Sequence, residues 1–212
     1  ANNVSFDGVD GTIRQCRKKC DFVKRKNIKG GTYMNIWHDI DPKEISPDEF
    51  MAVIEIPSGS KKKYEMDKRT GLLVLDRVLY TSTHYPANYG FIPRTYAYDK
   101  DPLDVLVLSS ESLDPMIMVK CYPIGVVRMV DCDEVDDKII AIPLKDPTWN
   151  FYKDISSIPP HISSEISHFF EVYKNLENKK SAATEVLGPD CAKNIIAEAM
   201  SMYEKHFCGR IS

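Results

Sequence analysis

Apolar positions are sparse in the first third of the chain. From residue 50 they gather into short runs separated by turn signals. "FMAVIEIP" (50–57) reads as a strand stopped by Pro57. "KYEMD" (63–67) and "LLVLDRVLY" (72–80) read as two more, set apart by the turn stretches "SGSKK" and "KRTG". "TSTHYPANYGFIP" (81–93) reads as a long loop. The run Val105-Leu106-Val107-Leu108 fits a strand buried on both faces. "MIMVKCYPIGVVRMV" (116–130) gives one or two strands bent at Pro123 and Gly125, and "KIIAIPL" (138–144) the last. Strands in this rhythm predict a small antiparallel barrel or sandwich.

Helical spacing comes late. Ile162, Ile166, Phe169, Phe170, Tyr173 and Leu176 recur at that period after Pro159-Pro160. Ala192, Ile195, Ile196, Ala199, Tyr203 and Phe207 do the same between Gly188-Pro189 and Gly209. Both stripes predict helices whose apolar faces pack on the β-structure.

At 212 residues the chain fits one domain with an extension, here 1–48 followed by 49–212. The extension is polar and carries the basic run "RQCRKKCDFVKRKNIKGG" (14–31), read as a solvated arm, with an anionic-surface or targeting patch as the alternative. Trp37 in "IWHDIDP" (36–42) is expected to pin the arm to the body. The formal net charge is -3, from 28 basic and 31 acidic residues, which argues against a general nucleic-acid binder. No apolar run approaches the roughly 20 residues of a membrane span, and residues 1–30 lack the apolar core of a secretory leader. The six scattered cysteines form no CxxC, so reduced thiols and a cytoplasmic location are expected.

Chemistry concentrates in "YAYDKDPLDVLVL" (96–108). Asp99, Asp101 and Asp104 stand within six residues, against the buried run, with Lys100 as the one cation among them. Three carboxylates so close repel unless positive charge joins them, and a hard divalent cation with oxygen ligands supplies it. A calcium-binding EF-hand loop does not fit: Asp104 stands where that loop needs Gly, and Ser110 where it needs Glu. A second acidic cluster, "MVDCDEVDDK" (129–138), also follows an apolar strand and can face the same place. Lys63, Arg77, Tyr85 and Tyr89 add cationic and phenolic donors, and a guanidinium matches phosphate geometry. Neither a phosphate-binding GxxxxGK[ST] loop nor a dinucleotide Gly fingerprint is present.

"VIEIP", "KYEMDK", "LDR", "HYPANYGFIP", "DKDPLDVLVL", "PIGVVRMVD" and "HFFEVYKNLE" follow one another in this order. Together they resemble the soluble, family I inorganic pyrophosphatases, and "WHDI" is similar to eukaryotic members. The resemblance covers about residues 50–180. It implies a mainly β fold, a five-stranded OB-like closed barrel with flanking C-terminal α-helices. It also implies hydrolysis of diphosphate to two orthophosphates with several Mg2+ ions per active site. By motif, Asp99, Asp104 and Asp136 would hold the first metal. Asp131 would join Asp136 in holding metals that arrive with substrate, with Glu55 beside them. Asp101 would orient or deprotonate the attacking water. Lys63, Arg77, Tyr89, Lys138, Tyr173 and Lys174 would hold phosphate oxygens, Tyr89 also serving catalysis, with Glu65 behind them.

Two positions depart from the family pattern: Lys100 replaces a small residue, and Cys132 replaces an acid. Two rival readings remain at this level, an OB-fold module that binds nucleic acid and a catalytically inert relative. A homo-oligomer is expected in either enzyme or relative.

Overall fold

The structure is a computed structural model that describes residues 34–68, 70–131, 134–177 and 181–209. The basic run 14–31 lies outside the described residues, as do Cys16, Cys20 and Cys132.

In chain order the strands are β1 (Phe50–Ile56), β2 (Lys62–Met66), β3 (Leu73–Val78), β4 (Asn88–Phe91) and β5 (Asp104–Val107). They continue as β6 (Met118–Asp131), β7 (Glu134–Val135), β8 (Lys138–Pro143) and β9 (Ser181–Leu187). Two helices, α1 (Pro160–Val172) and α2 (Pro189–Tyr203), follow the β-rich part, with β9 between them. Each helix has proline in its first turn, where the missing N–H is an orphan donor anyway.

Pairing runs β1-β4-β5-β8-β6, and β6 returns to pair with β1. Five strands thereby close on themselves, as the resemblance implied. Three findings differ from the expected pattern. The stretch 138–144 is not the last strand, because β9 follows it and pairs with β6. The stretch 81–93 is not all loop, because it contains β4, paired to both β1 and β5. Four residues, three of them buried and without alternation, carry too weak a period to be read as a strand. The barrel is also not purely antiparallel: β5 and β8 run parallel, Val105 opposite Ile139. The bend at Pro123 and Gly125 is real, but it is a register shift within the single strand β6.

Closure requires close backbone approach at Gly90. A Cβ there would stand 1.8 Å from the Val53 carbonyl oxygen, so only glycine lets β4 lie against β1.

The barrel strands are buried on both faces, and their side chains sort by parity. Val105, Val107, Ile139 and Ala141 join the cluster holding Ala192, Ile196 and Ala199 of α2. Leu106, Leu108, Ile140 and Ile142 join the cluster holding Ile166, Phe169 and Phe170 of α1. Each such side chain contributes about 1.5–3 kcal/mol on burial.

Trp37 is pinned as expected. Its indole Nε1 donates to the Thr95 carbonyl at 2.9 Å, and the ring stacks on His38. Ile40 and Ile45 are buried in the α2-side core, so the segment before residue 48 is packed on the body from Trp37 onward. Cys121 and Cys191 are free, whereas Cys208 is disulfide-bonded, against the expectation of reduced thiols throughout. Spacing in the chain carries no signal for a bond that depends on tertiary approach. Among the described residues no helix is long and apolar enough to cross a membrane.

Candidate active site

β2 and β3 form a two-stranded hairpin outside the barrel. Lys63 pairs in register with Arg77 across it. Between this hairpin and the mouth of the barrel lies a cavity of about 460 Å³. One wall comes from the hairpin, with Lys63, Glu65, Asp76 and Arg77. The opposite wall holds Asp99, Asp101 and Asp104 from the turn before β5, and Asp136 and Lys138 from the start of β8. Glu55 and Tyr89 form its floor, and Tyr173 and Lys174, just past α1, its rim.

Every expected site residue except Asp131 therefore lines one cavity. Asp131 ends β6 opposite Glu134 and Ser181, and its side chain lies outside the described residues. Because β5 and β8 run parallel, their starts are adjacent, and this brings the two acidic clusters together. Sequence reasoning passed over Lys68 and Asp76, which also line the cavity. Lys68 sat in a turn stretch, and its ion pair with Asp101 spans 33 residues. Asp76 could have been found, since it is charged, next to Arg77 and inside a strand.

Electrostatics explain the arrangement. Lys138 Nζ reaches Asp136 Oδ1 at 2.5 Å and also contacts Asp104 Oδ2. Burial opposes its charge, but the two carboxylates hold the ammonium protonated well above the usual lysine range. Tyr89 donates its phenolic O–H to Asp104 Oδ2 at 2.5 Å. Burial first, and then the charge of Asp104, push this phenol well above its ordinary value, so it is a neutral donor. Asp99 is raised to about 6 by burial and by Asp104 and Asp136. Glu55 is raised to about 8, chiefly by burial and then by Asp104, although it accepts from the Met66 N–H at 2.8 Å.

Carboxylates that resist ionising even beside the buried ammonium of Lys138 fit a site for divalent cations, and an all-oxygen donor set suits a hard ion. Among the described residues no three acidic, histidine or cysteine side chains converge on one point, and Lys138 stands between Asp104 and Asp136.

On the opposite wall Arg77 Nε donates to Glu177 Oε1 at 2.9 Å, and Nη1 contacts Asp76. Arg77 Nη2 is buried and has no hydrogen-bond partner. A buried guanidinium nitrogen left open is costly unless an anion completes it. Lys63 contacts Glu65 and stands 3.3 Å from Asp76. Lys100, by contrast, points away: it is exposed, in the left-handed conformation at φ 70°, and does not line the cavity.

A closed β-barrel with acids on one side of a polar cavity and cationic donors on the other fits an enzyme for a small oxyanion. Comparisons with known proteins narrow that class. The inorganic pyrophosphatase family model matches residues 52–204. Soluble inorganic pyrophosphatase 2 of Chlamydomonas reinhardtii is 47% identical over 180 residues, 85% of this chain and 94% of that protein. A soluble inorganic pyrophosphatase of Oryza sativa subsp. japonica is 50% identical over 167 residues, covering 79% and 78%. The crystal structure of the inorganic pyrophosphatase from Thermus thermophilus superposes with a TM-score of 0.74 at 35% identity, over 81% of this chain and 99% of that one. The chain belongs to the inorganic pyrophosphatase family. Its reaction is the hydrolysis of diphosphate.

Proposed function

We propose that this chain hydrolyses inorganic diphosphate to two orthophosphates with Mg2+, by in-line attack of water. The observation that carries the reading is Arg77, which lines a cavity whose other wall is acidic and whose buried Nη2 has no hydrogen-bond partner. Such a cavity attracts a polyanion only when cations neutralise the acids, and diphosphate with divalent ions satisfies both walls.

Asp99, Asp104 and Asp136 are the proposed ligands for the first metal, with Asp131 and Glu55 contributing to the others. Bound divalent ions supply charge neutralisation at the phosphates and a more acidic water. Lys63, Arg77, Lys138, Tyr173 and Lys174 donate to phosphate oxygens and set the line of displacement. Tyr89, neutral and anchored on Asp104, donates from the floor. Asp101 accepts the proton of the attacking water at a carboxylate oxygen. Lys68 holds that carboxylate before substrate arrives.

Residues 49–212 are proposed as the catalytic unit. The family match from residue 52 supports that boundary, with Trp37, Ile40 and Ile45 as its packed edge. A homo-oligomer is proposed as well. Leu72, Val74, Leu75, Val78 and Tyr80 are about half exposed or more on and beside the hairpin, apolar surface that a second copy would cover in part. A cytoplasmic location is proposed as well, in keeping with relatives named soluble inorganic pyrophosphatases.

The test is phosphate release from diphosphate with Mg2+, with Ca2+ and with chelator. Release with Mg2+ alone is expected. Mg2+ takes six oxygens at about 2.0–2.1 Å, whereas Ca2+ prefers more ligands at about 2.3–2.6 Å and misplaces the water. Equal turnover with both ions would overturn the metal assignment. Binding of single-stranded nucleic acid without phosphate release would favour the OB-module reading, and neither activity would favour an inert relative.

A further inference from the structure

Glu177 belongs to the short turn Asn175–Glu177, three residues past Lys174 and 100 residues from Arg77 in the chain. Its side chain is only 9% exposed, yet it does not line the cavity. It pairs with Arg77 Nε at 2.9 Å. Burial works against the charge on Arg77, but Glu177 and then Asp76 more than restore it.

Arg77 sits on a hairpin that shares no backbone ladder with the barrel. A two-stranded hairpin is marginal by itself, so its placement depends on side-chain ties. Glu55 ties β2 to the barrel through the Met66 N–H. Glu177 ties β3 to the segment that carries Tyr173 and Lys174. An arginine side chain has about 2 kcal/mol of rotamer entropy, and a bond at Nε restricts the freedom that would let the guanidinium swing away from the cavity that Arg77 lines.

We infer that Glu177 is a positioning residue for the phosphate site: it clamps the Arg77 guanidinium so that Nη2 faces the substrate, and thereby couples the hairpin wall to the Tyr173–Lys174 rim. The inference rests on the reading of the cavity as a phosphate site. Glu177 itself contacts no phosphate. It acts through Arg77, so its effect vanishes when Arg77 is gone.

The experiment is a double-mutant cycle on the full chain with Mg2+ present, reading orthophosphate affinity by calorimetry and KM and kcat for diphosphate. Glu177→Ala is expected to weaken orthophosphate binding about tenfold and raise KM similarly, with kcat changed less than about threefold. That tenfold is about 1.4 kcal/mol. Glu177→Gln keeps an acceptor oxygen and should stay within about threefold of the parent. In an Arg77→Ala background, Glu177→Ala should add less than about twofold, since the clamp has nothing left to hold. Additive losses would overturn the inference, as would a Glu177→Ala protein with unchanged affinity. Should Glu177→Ala fail to fold, Glu177→Asp, one methylene too short for Nε, takes its place with the same expectations. A parent chain that binds orthophosphate but releases none from diphosphate would sink the proposed reaction and leave the clamp test intact. A parent that binds no orthophosphate would overturn both.

Discussion

The ammonium of Lys138 lies 2.5 Å from Asp136 Oδ1 and also contacts Asp104 Oδ2, at the adjoining starts of two parallel strands. One buried cation thus joins the two acidic clusters. Removing one partner of a buried ion pair leaves uncompensated charge, a loss of about 3–5 kcal/mol. Lys138→Met is therefore expected to lower stability in chelator by about that amount, with part of it recovered in Mg2+. Urea unfolding under both conditions checks this, and a loss below about 1 kcal/mol would contradict the ion-pair account.

Asp101 and Asp104 are expected to separate by role. Asp104 receives Tyr89 and Lys138, whereas Asp101 pairs with Lys68 nearer the cavity mouth. Asp104→Asn should weaken Mg2+ binding in the absence of substrate. Asp101→Asn should leave that binding nearly unchanged while lowering kcat by about 10²–10⁴-fold, the usual contribution of a general base. Calorimetric Mg2+ titration beside steady-state kinetics separates the two. Identical metal defects in both variants would refute the division.

The raised carboxylates predict proton-linked metal binding. Glu55 is held at about 8 in the folded, metal-free protein against an ordinary 4.5, so between those values the folded state binds more protons than the unfolded one. Its contribution to stability is thus fully present below pH 4.5 and lost as pH rises through about 8. Asp99 behaves the same way between 3.8 and about 6. A divalent ion needs the ionised forms, so its affinity should rise with pH up to about 8 and its binding should release protons at pH 7. Calorimetry in buffers of different ionisation enthalpy measures that release. A buffer-independent enthalpy would count against it.

Lys100 is exposed and left-handed, at φ 70°. Lys100→Gly removes backbone strain of about 1–2 kcal/mol but adds freedom to the unfolded chain, and the two nearly cancel. Stability should change by less than about 1 kcal/mol, and the Mg2+ concentration for half-maximal rate by less than about threefold, because an exposed charge contributes about 0–1 kcal/mol. A tenfold fall in the Mg2+ requirement would mean that the ammonium competes for the metal.

Gly90→Ala should fail where Lys100→Gly is tolerated. The added methyl would stand 1.8 Å from the Val53 carbonyl oxygen and 2.9 Å from the Ile54 Cα, both backbone atoms that cannot rotate away. Overpacking of about 3 kcal/mol or more is expected, read as a lowered melting temperature and loss of soluble protein. A protein of parental stability would mean that β1 and β4 can separate without cost.

The chain by itself determined the strands that alternate or run apolar, both helices, and the residue types of the site. Asp99, Asp101 and Asp104 are legible because three like charges beside a buried run need an external partner, and Arg77 because a guanidinium inside a strand needs an anion. Local periodicity encodes such features, since side-chain direction repeats every two or 3.6 residues. Tertiary structure alone decided the rest. β4 is four residues with no alternation, and becomes a strand because β1 and β5 offer it two ladders. Lys100 is exposed and outside the cavity lining, in a backbone conformation that its identity disfavours. The bond from Arg77 to Glu177 spans 100 residues, and that from Lys138 to Asp104 spans 34. Ion pairs carry no period along a chain. They exist where folding brings charges out of water together, and only the closed barrel and the hairpin laid over its mouth fix which charges those are.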